Sequence, residues 1–145
     1  MVKIIVDTRE DKKIVRELKK HDLDVEIKQL IVADFILNTK DREGNIKSLA
    51  IERKTQSDFI NSIIDKRILT QLINLKEHFP LQLLIIEGSR NIFSLRNFHP
   101  NAIRGMLSSI AIDYQIPIIY TKNHRDTAAF LNIIAKRLEK PVRDI

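Results

Sequence analysis

An acid and an amine stand two residues apart at the end of an apolar segment, in the run AIERK that contains Glu52 and Lys54. Along an extended strand, side chains two residues apart project from the same face, roughly 6–7 Å from each other. Glu52 and Lys54 therefore share one face of the strand, and Ile51 and Arg53 share the other. Taken alone, the pair is better explained as an exposed ion pair, which contributes only about 0–1 kcal/mol.

A second carboxylate, Asp34, gives this pair a more specific interpretation. Asp34 begins the segment DFILN, and the polar turn TKDREGN separates it from IKSLAIERK. If the two segments form a hairpin, Asp34 lies beside Glu52. Adjacent carboxylates repel unless they share a proton or a cation, and Mg²⁺ binds one or two carboxylates together with water and phosphate oxygens. We therefore predict that Asp34 and Glu52 hold a divalent metal, while Lys54 positions or helps deprotonate a water that attacks phosphorus.

Three further acids lie near this predicted centre. Asp58 has two compatible interpretations: it belongs to the site, or it is the acid of a capping box that begins at Thr55. Asp7 ends the first predicted strand, where it could reach the same metal or hold Arg9 in place. Glu10 is interpreted as an acid at a helix N-terminus.

Apolar periodicity predicts alternating strands and helices around the centre. Strands are predicted over 2–8, 23–30, 34–38, 46–54, 81–88 and 116–121. Helices are predicted within 9–22 and 55–79, and over 100–114 and 124–139, with the polar triplet 65–67 breaking the second one in two. The predicted fold class is α/β, with a central mixed β-sheet flanked by helices on both faces. Residues 1–145 are predicted to form a single domain.

The last two predicted helices, around 100–114 and 124–139, carry apolar residues over more than one face. A helix that is apolar on all sides must be buried on all sides. In a chain of this size, one of those sides is expected to contact a partner subunit. We predict a homodimer through these helices, with a thick intramolecular core as the alternative.

Composition favours an anionic partner. The chain has 25 Lys and Arg against 19 Asp and Glu, a formal net charge of +6, so nucleic acid is the first candidate. There is no cysteine, which excludes disulfides and thiolate metal sites and fits an intracellular protein. The start MVKIIVDTRED becomes charged too early for a signal peptide, and no apolar run is long enough to span a bilayer. We predict a cytoplasmic protein that does not bind membranes.

Together these motifs resemble the XPF/Hef family of structure-specific endonucleases, whose nuclease domain has a restriction-endonuclease-like fold. The motif D…ERKxxxD, from Asp34 to Asp58, resembles the family signature GD…ERKxxxD. VDTRE resembles the V-D-x-R-E of its first strand, and DFINSIIDKR, LIIEG and HPNAIRG resemble segments of archaeal members. The resemblance runs from about residue 2 to residue 138.

The resemblance implies a role for each matching residue. Asp34 and Glu52 become metal ligands, with the backbone carbonyl of Arg53 as a candidate third, and Lys54 becomes the catalytic lysine. The implied catalytic centre is completed by Asp7, Arg9, Arg53 and Asp58. The residues expected to contact DNA are Arg9, Arg53 and Arg67.

The implied activity is a Mg²⁺- or Mn²⁺-dependent endonuclease that cleaves 3′-flap, fork or splayed-arm DNA near single-strand/double-strand junctions. Its implied setting is DNA repair or replication-fork restart in a prokaryotic, nucleoid-associated location. One alternative is a catalytically silent DNA-binding and dimerisation scaffold of the same family, which the intact acids and lysine disfavour. Another is a Holliday-junction resolvase of the same fold, which would share D…ExK but not the Arg53 and VDTRE context.

Two departures and one absence qualify the resemblance. Ala33 and Lys66 stand where family members carry glycine, so the backbone geometry at both positions is in question. Family members usually continue into a helix-hairpin-helix module, and larger relatives carry a helicase region. A DNA-binding module of this kind, or a sliding clamp, is expected outside these 145 residues.

Overall fold

The computed structural model describes residues 2–41 and 43–140. The strands are β1 (Lys3–Asp7), β2 (Asp24–Lys28), β3 (Phe35–Lys40), β4 (Ile46–Thr55), β5 (Leu81–Glu87) and β6 (Ile118–Thr121). The helices are α1 (Lys12–Lys19), α2 (Gln56–Ile64), α3 (Arg67–His78), α4 (Pro100–Ile112) and α5 (His124–Leu138). A short 3₁₀-helix covers Ile92–Ser94.

The six strands form one mixed sheet in the order β2-β1-β3-β4-β5-β6. Strand β3 is antiparallel to both of its neighbours, and the remaining pairs are parallel. Helices α1 and α5 pack on one face of the sheet, and α2, α3 and α4 pack on the other. Each face has one apolar core between the sheet and its helices. The predicted α/β architecture, a mixed sheet flanked on both faces, is confirmed. Among the described helices, none has the length and apolar character needed to cross a bilayer.

Every predicted strand and helix is present, and the ends differ by at most three residues. The start of α1 shows one physical reason for such a difference. Asp11 accepts a hydrogen bond from the Lys13 N–H at 2.9 Å, which makes it the N-cap and begins the helix at Lys12. Glu10 therefore precedes the helix, and its interpretation as a helix N-terminal acid is wrong.

The hairpin of β3 and β4 sets the register on which the predicted site depends. Phe35 pairs with Ile51, and the Asp34 N–H donates to the Ile51 carbonyl at 2.9 Å. One step further toward the end of the hairpin, Asp34 therefore comes beside Glu52. The structure thus places these two carboxylates as the hairpin predicts.

The predicted break in the long helical segment lies at Lys66. This residue adopts φ 64° and ψ 19°, a left-handed conformation, without a side-chain capping bond. A non-glycine residue in this region is disfavoured by roughly 1–2 kcal/mol. The lysine that stands in place of the family's glycine therefore holds a conformation that glycine would adopt without this strain.

We expect Lys66→Gly to raise the free energy of unfolding by up to about 1 kcal/mol, because relieved strain exceeds the extra entropy of the unfolded chain. The matched control is Lys76→Gly inside α3, which should lower it by roughly 0.5–1 kcal/mol. Both values come from denaturant titration. Equal losses for the two variants would contradict the strain assigned to Lys66.

Candidate active site

A cleft of about 370 Å³ opens where β1 and β4 end and β3 begins. Three stretches of chain and one helix line it. The lining residues are Asp7, Arg9 and Glu10 from the end of β1, residues 31–34 before β3, Glu52, Arg53 and Lys54 from β4, and Gln71 and Asn74 from α3. The cleft thus brings together six of the residues that the sequence predicts for the site.

Asp34 and Glu52 meet inside this cleft in a poorly solvated environment. Burial raises the pKa of Asp34. Burial, reinforced by the charge of Asp34, raises the pKa of Glu52 to about 7. Two carboxylates whose ionised forms are disfavoured in this way are a natural place for a positive charge to bind.

Lys54 supplies one positive charge beside them. Its Nζ lies 3.4 Å from Glu52 Oε1, and the two side chains are only 10% and 9% exposed. Both project from the same face of β4, as strand alternation predicts. An ammonium group is therefore held next to the paired carboxylates and shielded from bulk water.

The main chain fixes the orientation of the Asp34 carboxylate. Its Oδ2 accepts a hydrogen bond of 2.8 Å from the Arg53 N–H. The preceding residue, Ala33, has φ 79°, in the region that favours glycine. The alanine in place of the family's glycine therefore still adopts a positive φ, a conformation that is less favourable for it by roughly 1–2 kcal/mol.

The Arg53 guanidinium is clamped between two buried acids. Its Nε and Nη2 donate to the two carboxylate oxygens of Glu87, at 2.8 and 2.6 Å, and its Nη1 donates to Glu10 Oε2 at 2.8 Å. Only 12% of the Arg53 side chain is exposed. The guanidinium is therefore engaged within the protein by these two acids, and the expected phosphate contact from Arg53 stays a prediction.

The clamp extends into the last helix. Thr127, in the first turns of α5, donates its hydroxyl to Glu87 Oε2 at 2.5 Å, and its oxygen also lies 2.6 Å from Thr121 Oγ1. Burial, with added repulsion from Asp34, raises the pKa of Glu10 to about 7, against the stabilising effect of Arg53. A continuous series of hydrogen bonds and ion pairs thus connects α5 to the cleft, from Thr127 through Glu87 and Arg53 to Glu10.

Sequence reasoning did not assign Glu10, which lines the cleft, or Glu87, which holds Arg53, to the site. A signal for Glu87 was present, because a single acid ends the largely apolar strand β5 beside the charged end of β4. Gln71 and Asn74 were also missed. They lie on the polar side of α3, where nothing in an apolar pattern distinguishes cleft-lining residues from ordinary surface. Gln71 Oε1 is buried, and among the described residues it has no hydrogen-bond partner.

Asp7 is fully engaged by protein donors. Its Oδ1 accepts from the Leu30 N–H at 2.8 Å and its Oδ2 from Arg9 Nε at 2.7 Å. Although burial acts to raise it, the pKa of Asp7 is lowered by these hydrogen bonds and by the charge of Arg9. The structure therefore favours the interpretation in which Asp7 holds Arg9, whose side chain is 70% exposed at the cleft.

Asp58 and Arg67 lie outside the cleft lining. Thr55 caps α2 by accepting from the Asp58 N–H at 3.2 Å, and Asp58 is exposed in the first turn, so the Thr55 half of the predicted capping box is present. Arg67 donates to Asp65 Oδ2 at 2.7 Å and is 56% exposed. It lies one helical turn before Gln71, which places it toward the rim of the cleft.

The donor set of the cleft fits a hard cation. Within residues 2–41 and 43–140, no group of three or more acidic or histidine side chains is arranged as a complete metal cage. Mg²⁺ does not require one, because it keeps several waters and is held by one or two carboxylates plus substrate phosphates. Asp34 and Glu52 could hold such an ion, with coordination completed by water and phosphate oxygens.

An α/β domain with a mixed sheet, carrying paired carboxylates and a lysine at the end of an antiparallel strand pair, corresponds to the XPF-type nuclease fold. The ERCC4 domain family matches residues 6–134. The chain belongs to this family, and the relationship predicted from its motifs is confirmed.

Two archaeal relatives illustrate the match. A protein of Methanocaldococcus jannaschii described as an ATP-dependent RNA helicase is 42% identical over 136 residues, which cover 94% of this chain and 16% of that protein. The 3′-flap repair endonuclease Xpf of Saccharolobus solfataricus is 33% identical over 140 residues, or 96% of this chain and 57% of that protein. The chain thus spans only part of the length of both relatives.

Solved structures of XPF from Aeropyrum pernix have the same fold. One matches with a TM-score of 0.79 and 26% identity, covering 93% of this chain and 64% of the solved one. A complex of that protein with DNA matches with the same TM-score and identity, covering 94% of this chain and 64% of the solved one.

We expect Glu87→Gln to destabilise the fold by about 2–4 kcal/mol, because it leaves the buried Arg53 charge only partly compensated. The same substitution at Glu26 is the control. Glu26 forms an exposed ion pair with Lys3, in which both side chains are 45% exposed, and its loss should change stability by less than about 1 kcal/mol. Similar effects of the two substitutions in urea titrations would be inconsistent with a clamp at Arg53.

Proposed function

We propose that this chain is a divalent-metal-dependent DNA endonuclease whose catalytic site is the cleft at the ends of β1 and β4. The observation that carries the proposal is the buried pair Asp34 and Glu52 with Lys54 beside it, on the fold of the ERCC4 family.

The proposed metal ligands are Asp34 and Glu52, and the proposed ion is Mg²⁺ or Mn²⁺. When bound, the ion would polarise the scissile phosphate and lower the pKa of a coordinated water. The protein itself holds both carboxylates in fixed, largely buried positions. Asp34 is oriented by the Arg53 N–H, and Glu52 by Lys54.

Lys54 is the proposed catalytic lysine. Its ammonium is near enough to the carboxylate pair to orient a water molecule there, and to stabilise the negative charge that develops on phosphate oxygens during attack. Arg9 is the proposed DNA contact at the cleft, since its exposed guanidinium is braced by Asp7 and by the Leu30 carbonyl at 2.9 Å. Arg67 is a second proposed contact, at the rim.

The proposed substrates are branched DNAs with a single-strand/double-strand junction, above all 3′-flaps, forks and splayed arms, in DNA repair or fork restart. Support comes from the relative named a 3′-flap repair endonuclease, from the XPF complex with DNA, and from the formal charge of +6. The proposed helix-hairpin-helix module or sliding clamp would contribute further contacts from outside this chain.

A catalytically silent scaffold is the second candidate. It would need DNA affinity and a dimer surface but no reaction centre. The retained acids and lysine disfavour it, because a scaffold would gain nothing from burying two carboxylates side by side.

We expect Asp34→Ala and Glu52→Gln to abolish Mg²⁺-dependent cleavage of a labelled 3′-flap while leaving DNA affinity within a few-fold of wild type. Without metal at pH 8, above the pKa of about 7 for Glu52, Glu52→Gln removes a buried ionised group beside Asp34 and should raise thermal stability. At pH 5 the wild-type carboxyl is protonated, so this gain should disappear.

The control for both measurements is Glu77→Gln, at an exposed position of α3. It should change neither cleavage nor stability. Wild-type cleavage rates in Asp34→Ala or Glu52→Gln would refute the proposed metal site, whereas cleavage that no variant affects and no chelator stops would refute the endonuclease assignment to this cleft.

A homodimer through α4, β6 and α5 is also proposed. In the single chain these elements leave large apolar side chains in solvent: Ile112 is 73% exposed, Tyr120 54%, Phe130 36% and Ile133 60%. The sequence predicts helices buried on all sides, and the fold of one chain leaves one side of them uncovered. Apolar surface of this kind is typical of an interface.

We expect the chain to sediment as a dimer at micromolar concentration and Ile133→Glu to convert it to a monomer, because a charge would then face an apolar interface. The control is Ile27→Glu on β2, at the opposite edge of the sheet, where the isoleucine is 52% exposed. A wild-type monomer, or equal dissociation of both variants, would contradict the proposed interface.

A further inference from the structure

Helix α1 presents a continuous face of positive charge. Successive helical residues are rotated by 100°, so five side chains fall within an arc of about 120°. This α1 basic face consists of Lys12, Lys13, Arg16, Lys19 and Lys20, all exposed. The opposite side of the helix is buried in the core through Ile14, Val15 and Leu18.

Acidic side chains are excluded from this arc. Glu17 borders it and is occupied by Lys20 Nζ at 2.9 Å and by Arg125 Nε at 3.7 Å. In the part of the chain that the structure describes, Lys12, Lys13, Arg16 and Lys19 form no ion pair. Their charges are therefore open to an external anion.

This arrangement opposes the stability of the helix. The N-terminus of a helix favours acids. Asp11 supplies one as the N-cap, but the first turn of α1 itself contains no acid and begins with two lysines. Lys12 and Arg16, and again Arg16 and Lys20, are like charges four residues apart, a spacing that destabilises helices. Local rules that are broken without a compensating contact inside the protein are expected at functional surfaces.

The α1 basic face adjoins the catalytic cleft. A groove of about 430 Å³ lies between α1 and the end of β1, and Lys12 and Arg16 line it. Asp7 and Glu10 line both this groove and the cleft. Since both carboxylates are already engaged by arginines, the passage from cleft to helix does not present free acids to an anionic ligand.

The nearby acids of β2 face away from α1. Val25 packs on the α1 side of the sheet and Ile27 lines the groove. By strand alternation, Asp24 and Glu26 project to the other face, where Glu26 pairs with Lys3. The acids of β2 therefore do not cancel the positive field of α1. The other acids beside the helix are Asp11, which caps it, Glu17, which is paired with Lys20 and Arg125, and Asp22, which lies beyond its end.

We propose that the α1 basic face binds the phosphate backbone of the DNA arm that leaves the catalytic cleft. This inference rests on the proposed function, because it extends the path of the same substrate. The helix is about 12 Å long, enough to follow roughly three or four phosphates of one strand. A membrane is a poorer partner, since the apolar side of α1 is in the core and offers nothing to insert.

The test compares the 145-residue wild type with the triple variant Lys12→Gln/Arg16→Gln/Lys19→Gln. Affinity for a fluorescent 3′-flap should fall roughly ten-fold near physiological salt, and the slope of log affinity against log salt should become shallower by about 2–3. Thermal stability should be unchanged or higher, because like charges on one helix are removed and glutamine forms helices well. A stabilising role for these cations would instead lower it.

The matched control removes three lysines at the far end of the sheet and outside α5, in Lys3→Gln/Lys40→Gln/Lys47→Gln, which are exposed or half-buried. It should bind like wild type. Two further substrates, one with a shortened duplex arm and one with a shortened single-stranded arm, identify the arm that α1 binds. The loss of affinity in the α1 variant should disappear only for the substrate that lacks that arm.

The outcomes separate the two proposals. If the α1 variant binds with wild-type affinity and salt slope while the wild type cuts flaps, the α1 assignment is overturned and the endonuclease stands. Equal losses in the α1 and control variants would also overturn it, because net charge alone would then explain the effect. A wild type that neither binds nor cuts branched DNA overturns both.

Discussion

The geometry of the cleft depends on one residue, Arg53. Its guanidinium binds Glu10 after β1 and Glu87 at the end of β5, and its backbone N–H holds Asp34 at the start of β3. Because Glu52 and Lys54 flank Arg53 on the same strand, fixing Arg53 fixes both of them. A buried ion-pair network adds little net stability compared with apolar residues of the same volume. Its effect here is to hold the ends of three strands and their charges in one arrangement.

In that arrangement the carboxylates are poorly solvated and repel one another when ionised. Burial is the main reason why the pKa values of Glu10 and Glu52 lie at about 7, and repulsion from Asp34 adds to it. The acids differ in their partners: Glu10 is paired with Arg53 and Asp7 with Arg9. Among the described residues, the direct contacts of Asp34 and Glu52 are one backbone N–H and Lys54, while Arg53 and Arg9 act on them only through the field of their charges. The fold thus satisfies its structural acids and leaves the proposed metal pair short of positive charge.

The architecture and the proximity of Asp34 and Glu52 could be predicted from the sequence, because both follow from local patterns. Strand alternation and one hairpin register determine that Asp34 meets Glu52, and apolar periodicity determines the order of the elements. The partners of Arg53 could not be deduced in this way. Glu87 lies 34 residues away and meets Arg53 only because β5 pairs with β4. Asp58 is a different case, because its contact with Thr55 is made by its backbone N–H, and the role of its carboxylate stays a prediction.

The Arg53 clamp also connects the surfaces proposed for partners to the proposed reaction centre. Glu10 lies one residue before the N-cap of α1, so the position of the α1 basic face is tied to Arg53 through a single buried ion pair. Thr127 ties the start of α5, a helix of the proposed dimer interface, to the same guanidinium through Glu87. DNA on α1 and a partner on α5 would therefore be positioned by the residue that also orients Asp34. Because interiors are close-packed and transmit strain, we expect a shift of either helix to reach the carboxylate pair through Arg53.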